Sequence, residues 1–287
     1  MSIKIVSDTC HYLPRELVLG NEIYEVSLYV HWGDEVKRES ELTDYDLYYR
    51  ALADSPQLPT TSQPSIGDFL QVYRPLLQDG HEIVSIHLSG GISGTVRAAE
   101  QAREQLGEAA SRVHVVDSRS ACGGEGLMLL AAAAAARAGA DVQQVIERAR
   151  DARERLQLWF AIDTLEYLRR GGRIGGAQAW LGGALKIKPI LSVEYEIEPV
   201  ERVRTAKRAF ERMVDVLGDC RERGSDGWVV QYIQAREQAD ELVRRGREIF
   251  GSEPAIVSEL GPVIGTHVGP GLLGAGGVPR SLLQPVA

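Results

Sequence analysis

Apolar positions along this chain fall into short runs, alternating or continuously rich in Val and Ile, separated by longer stretches with helical spacing. Ile3–Ser7 (IKIVS), Ile23–His31, Glu82–Leu88 (EIVSIHL) and Val113–Val116 read as strands bounded by turn formers. Between them the spacing predicts helices with recognisable starts. Thr43 with Asp46, and Ser65 with Asp68, match the S/T-x-x-D/E capping pattern ahead of apolar periodicity. Ser93 is expected to open a helix to about Leu106. A helical region from Gly126 to Arg155 breaks at AGAD, where Asp141 caps a new start.

Leu158–Ile162 (LWFAI) begins a second block. Helices are expected at Thr164–Arg170 and Ala177–Leu185, then a hairpin joining KPILSV to EPVERV. A helix at Thr205–Leu217, a strand at Trp228–Ile233, a helix at Arg236–Phe250 and a strand at Ala255–Leu260 complete the pattern. Such alternation implies α/β layers and a largely parallel first sheet. The expected division is an N-terminal α/β domain over 1–157 and a C-terminal one over 158–287.

Composition narrows the class. With 44% apolar and 25% charged residues, the 287-residue chain reads as globular. Its net charge of −8 argues against nucleic acid as the main partner. The balance is uneven: Leu165–Phe210 holds nine Lys/Arg against five Asp/Glu, a local +4, so the remainder carries −12. The longest apolar run, the ten residues Leu127–Ala136, is about half a membrane span, so no transmembrane segment is expected. MSIKIVSD lacks the pattern of a signal peptide. Cys10, Cys122 and Cys220 are far apart without CxxC, which suits a reducing cytoplasm.

Three small-residue clusters could carry chemistry. Ser89–Thr95 (SGGISGT) follows a strand and leads into a helix, placing backbone N–H groups and the Ser93 hydroxyl where an anion is favoured; a plain capped turn reads equally well. Pro59–Ser65 (PTTSQPS) offers up to four hydroxyls on a stiffened segment, with Ser65 also serving its helix. Gly261–Gly271 (GPVIGTHVGPG) sets His267 among glycines that permit close backbone approach. That histidine reads as a base, an anion clamp or an ordinary buried side chain. A metal is not expected, because no HxH, HxxxH or Cys/His spacing accompanies it. No GxxxxGK[ST] nucleotide loop occurs, and no cofactor is expected. Gly91–Thr95 misses G-x-S-x-G at its last residue. The order Ser93, Asp163, His267 nevertheless matches α/β-hydrolases and keeps a serine esterase or acyltransferase as the alternative. The basic run with Arg169, Arg170 and Arg173 could bind phosphate or a partner, or simply end a helix; Arg202, Arg204, Lys207 and Arg208 would add to it.

These segments together resemble the DegV family, the fatty-acid-binding subunits of bacterial fatty acid kinase systems. The resemblance rests on SDT…LP (Ser7–Thr9, Leu13–Pro14), TSQPS (Thr61–Ser65), SGxxSGT (Ser89–Thr95), VDS (Val116–Ser118), TLEYLRRGGRIG (Thr164–Gly175), IKPIL (Ile187–Leu191), Arg204–Lys207 and GTHxGPG (Gly265–Gly271). It implies two α/β domains with a lipid-binding tunnel between them. By that resemblance, Thr61, Ser93 and His267 hold a fatty acid's carboxylate, supported by Ser62, Gly94, Thr95, Gly265 and Thr266. No residue takes a catalytic role. A separate ATP-using kinase subunit makes the acyl phosphate, and Arg170, Arg173, Arg202 and Arg204 are the expected docking surface. The chain departs from the family pattern at Gly90, where a serine is usual, at Tyr12, where an acid or amide precedes LP, and at Cys122.

Overall fold

The computed structural model describes residues 2–55, 57–181 and 187–285. Its first part runs β1 (Ile3–Asp8), α1 (Arg15–Gly20), β2 (Ile23–Val26), β3 (Tyr29–Trp32), β4 (Glu35–Arg38), α2 (Tyr45–Asp54), β5 (Thr60–Ser62), α3 (Ile66–Gln78), β6 (Glu82–His87), α4 (Thr95–Glu104), β7 (Val113–Asp117), α5 (Gly123–Arg137) and α6 (Val142–Arg155). The second runs β8 (Gln157–Ala161), α7 (Glu166–Arg170), β9 (Lys188–Glu194), β10 (Glu196–Val203), α8 (Ala206–Glu222), β11 (Gly227–Ile233), α9 (Arg236–Phe250), β12 (Ile256–Glu259), α10 (Pro262–Val268) and β13 (Leu272–Val278).

Strands from the first part form a wholly parallel sheet, β2-β1-β6-β7, and a small antiparallel one, β4-β3-β5. Among the described residues, the six strands from residue 157 onward form a mixed sheet, β10-β9-β8-β13-β11-β12. The layers obey the period of two. On β11, Trp228, Val230 and Tyr232 pack beneath α8 and α9 with Met213, Leu217 and Leu242, while Val229 and Ile233 face the opposite way, into the cores shared with the first part. Helix α5 is apolar nearly all round; its Leu127–Ala135 run is buried between β1, β6, α6 and the second sheet. Alanines there let the neighbouring layers approach closely.

Several starts differ from expectation by one residue. Asp44, not Thr43, caps α2, because its carboxylate reaches Leu47 N at 2.9 Å. Gly94 occupies the cap of α4, with Ser93 one step outside the helix. Ser65 and Asp141 do form capping boxes, with Asp68 and Gln144. The single strand expected over Ile23–His31 divides: β2 joins the parallel sheet and β3 the small one. The intervening Ser27 hydroxyl bonds to Leu28 O, which also accepts from Glu39 N. Gly175–Trp180 forms a 3₁₀ turn where a helix to Leu185 was expected, and residues 182–186 of that expectation lie outside the described residues. Strand β13 was not anticipated. Its LLGAGGV sequence has poor strand propensity, yet β11 and β8 bracket it and supply both hydrogen-bond ladders.

Candidate functional site

The C-terminal ends of the parallel strands point toward the second sheet. Residues just beyond them, Leu28 after β2, Leu88, Ile92 and Ser93 after β6 and Ala121–Cys122 after β7, line one wall of an internal slot. Open parallel sheets place their ligand crevices at such strand ends. The opposite wall is the inner face of the second sheet, including Phe160, Val193 and Leu272, with Leu168 of α7 and Val263 of α10. The cavity is about 90 Å³, counted as room open to the centre of a water-sized sphere. One water needs roughly 10–15 Å³ on that measure, so the slot holds a row of small groups and is narrow rather than roomy.

Polar atoms gather at one end. Thr61 sits on β5 because that strand adds to β3 with Thr61 opposite Val30. Its Oγ1 lies 2.7 Å from His267 Nε2 on α10. Ser93 Oγ lies 2.8 Å from Thr95 Oγ1 at the start of α4, and Ser62 Oγ is 2.8 Å from His31 Nε2. Thr61, Ser62, Ser93 and His267 all line the slot, as do Gln63 and Arg173. No acidic side chain lines it among the described residues. Burial, and secondarily the Arg173 guanidinium, lower the His267 pKa to about 4, so the ring is neutral at physiological pH. Its Nδ1 is buried without a partner, against the backbone of Gly171. Cys122 also borders the slot, but burial pushes its thiol well above the usual range, which leaves it a poor nucleophile.

Helix α10 belongs to the second part of the chain but is held by the first. The Glu39 carboxylate accepts from Val263 N at 2.8 Å, Tyr12 Oη at 2.6 Å and Thr9 Oγ1 at 2.5 Å. Ile264 N donates to Tyr12 Oη, and Tyr49 Oη donates to Leu260 O and Gly261 O. A Cβ at Gly265 would overlap the Tyr49 hydroxyl, so glycine is what lets that ring seat. A carboxylate and backbone-directed phenols at the N-terminus of α10 thus aim His267 at Thr61.

Not every expected residue reaches the slot. Gly265 packs on Tyr49, and the Thr266 hydroxyl is committed to Pro262 O at 2.7 Å and Tyr48 Oη at 2.6 Å, so the two lie behind His267 rather than in the slot lining. Gly94 and Thr95 lie behind Ser93 at the start of α4, Thr95 bonding the Ser93 hydroxyl. Of the four arginines assigned to docking, Arg173 is exposed and also borders the slot, donating to Gly171 O at 2.8 Å. Arg170 is exposed near Glu166, Arg202 stacks over Trp180 at 5.3 Å, and Arg204 lines a separate surface groove. The hydrolase arrangement does not assemble. Ser93 bonds Thr95 rather than His267, Asp163 pairs with Lys188, and no carboxylate meets His267 Nδ1. A Ser85–His87–Asp8 chain does exist, at 2.7 and 3.1 Å, but all three are fully buried and Tyr73 closes on Ser85. Sequence reasoning missed Gln231, Glu39 and Gly274. Gln231 had a signal, being the lone amide in an apolar strand.

The fold and slot define a two-part α/β protein with an interior cavity, largely apolar along its walls and rich in hydroxyls at one end. Comparison with known proteins makes the assignment particular. A family model described as "Uncharacterised protein, DegV family" matches residues 2–280, and the chain belongs to that family. A DegV domain-containing protein of Streptomyces coelicolor is 39% identical over 278 residues, covering 95% of this chain and 96% of that protein. A structure described as fatty acid binding of a DegV family protein from Thermus thermophilus superposes with a TM-score of 0.87 at 33% identity, covering 97% and 99% of the two chains. That of DegV from Bacillus subtilis, described as a fatty acid binding protein, gives 0.86 at 32% identity over 96% and 98%.

Proposed function

We propose that this chain binds a long-chain fatty acid in the slot, tail along the second sheet and carboxylate at the Thr61–Ser93–His267 end. The observation that carries the reading is the distribution of polarity: walls apolar apart from the Gln231 amide, hydroxyls and His267 gathered at one end, and no acidic lining residue among the described residues. An anion with an apolar tail matches that distribution, and the fatty-acid binding described for the Thermus and Bacillus relatives supports it.

The hydrogen-bond directions follow from the neutral ring. A buried N–H without a partner is rarer than an unpaired acceptor, so His267 carries its proton on Nε2 and donates to Thr61 Oγ1. The Thr61 hydroxyl proton is then free to donate into the slot, joined by Ser93. His267 acts largely by orienting Thr61. Burying about 15 methylenes is worth roughly 12 kcal/mol gross at ~0.8 each. Association and ordering cost on the order of 4–15 kcal/mol. The tail therefore supplies most of the attraction, and the donors set which end enters last.

On this proposal the protein is a non-enzymatic carrier of the bacterial cytoplasm, its two domains meeting near residue 157. It presents the carboxylate to a separate kinase subunit, where a carboxylate oxygen attacks the γ-phosphorus of ATP and ADP leaves. The exposed Arg170, Arg173, Arg202 and Arg204 form the docking surface, Arg173 also bordering the slot. Lipid extraction of the purified protein followed by mass spectrometry tests the binding; absence of fatty acid, and no uptake of added palmitate, rejects it. Incubation with ATP, candidate kinase subunit and hydroxylamine tests presentation, an acyl hydroxamate being the expected product.

A further inference from the structure

We infer that Gly274 sets how far an acyl chain can enter, and so selects chain length; this rests on the fatty-acid reading above. Strand β13 contains three glycines, and they are not equivalent. A Cβ at Gly276 would overlap Gln157 O, and one at Gly277 would sit 2.8 Å from Ser225 O, so neighbouring backbone demands glycine at both. At Gly274 the nearest atoms would be Phe160 Cβ at 3.5 Å, Trp159 O at 3.6 Å and Gln231 O at 3.7 Å, ordinary contacts. Its φ is not in the left-handed region. Neither packing nor backbone conformation requires the residue, and glycine inside a strand weakens the strand.

What the missing side chain leaves is space in the slot. Gly274 pairs with Phe160 on β8 and with Gln231 on β11, and all three border the cavity. The row Phe160–Gly274–Gln231 is therefore a groove one residue wide, with a ring on one side and an amide on the other. Gln231 is pinned there, its Oε1 accepting from Gly123 N and its Nε2 donating to Ser258 Oγ, so the groove wall is rigid. Along β13, Gly274 lies one pleat beyond Leu272, further along the strand from its α10 end, where His267 sits. A tail anchored at Thr61 reaches this row only with its distal carbons.

The test uses full-length protein stripped of lipid and reloaded from an equimolar mixture of lauric, palmitic and stearic acids, with bound acids quantified by mass spectrometry. Gly274→Ala, Gly274→Val and Gly274→Leu should progressively exclude the longer acids. Each displaced methylene changes affinity about fourfold, so Gly274→Leu should raise the lauric-to-stearic ratio by about tenfold or more. Circular dichroism and retained lauric binding establish that each variant is folded. A Gly274→Leu protein with the parental chain-length profile overturns the inference, as does equal loss of all three acids, because a plugged groove must spare the short chain. A parent protein that takes up none of the acids instead rejects the fatty-acid reading itself.

Discussion

Thr61→Val removes one hydroxyl and keeps the shape of the side chain. That hydroxyl lies 2.7 Å from His267 Nε2, so the valine leaves the imidazole N–H unpaired beside a methyl group. Losing a neutral hydrogen bond costs about 1 kcal/mol of stability, and the stranded donor adds a part of its desolvation penalty. In the loaded protein the loss is larger, because a hydrogen bond to a charged acceptor contributes about 1.5–3 kcal/mol. At 1.4 kcal/mol per decade, the fatty-acid dissociation constant should rise roughly tenfold to 150-fold. Thr61→Ser keeps the hydroxyl and should stay within a few-fold of the parent. The assay is displacement of a fluorescent fatty acid by palmitate, run with guanidinium unfolding on the same preparations. If Thr61→Val binds palmitate like the parent while unfolding at a similar denaturant concentration, the hydroxyl donates nothing to the ligand and the assignment of the polar end is wrong.

Three further outcomes follow from the same geometry. The unfolded His267 titrates near 6.5 and the folded one near 4, so the folded state resists protonation. Stability is then full above the unfolded value and falls as pH drops through that window, by about 2 kcal/mol between pH 7 and pH 4.5. Guanidinium midpoints of the parent against His267→Gln at both pH values read this contribution, which an unchanged difference between them would exclude. Glu39→Gln places an amide N–H against groups that all donate, Thr9, Tyr12 and Val263 N. We expect about 2–3 kcal/mol of destabilisation and a shift of the His267 imidazole signals in nitrogen-edited NMR, whereas Glu39→Asp should partly restore both. Gly171→Ala puts a methyl group onto His267 Nδ1, and should weaken palmitate binding more than it lowers the unfolding midpoint, since the ring must turn from Thr61.

Local chemistry wrote much of the architecture directly into the chain. Ser65 with Asp68 and Asp141 with Gln144 cap their helices because a side-chain oxygen three residues from an amide suffices, wherever the rest of the protein lies. The runs IKIVS and EIVSIHL became neighbouring strands β1 and β6 for a similar reason: a continuous β-branched run reads as a strand to be covered on both faces. The polar groups of the site were legible as types. Hydroxyls in TTSQPS and a histidine among glycines are unusual enough to mark their segments.

What no local pattern contains is the distance between segments. Thr61 and His267 are separated by 206 positions and meet only because β5 adds to β3 while Glu39, Tyr12 and Tyr49 draw α10 across from the other part of the chain. The same dependence decides where Gly265 and Thr266 lie: next to His267 in sequence, they turn on the helix toward Tyr49 and Tyr48. It also hid β13, since three glycines carry no strand preference until two neighbouring strands offer both ladders. Spacing within a few residues is governed by backbone geometry and so is written in order along the chain. Which donors share a cavity, and which glycine leaves room in it, depends on how layers stack, and that is set by the packing of the whole.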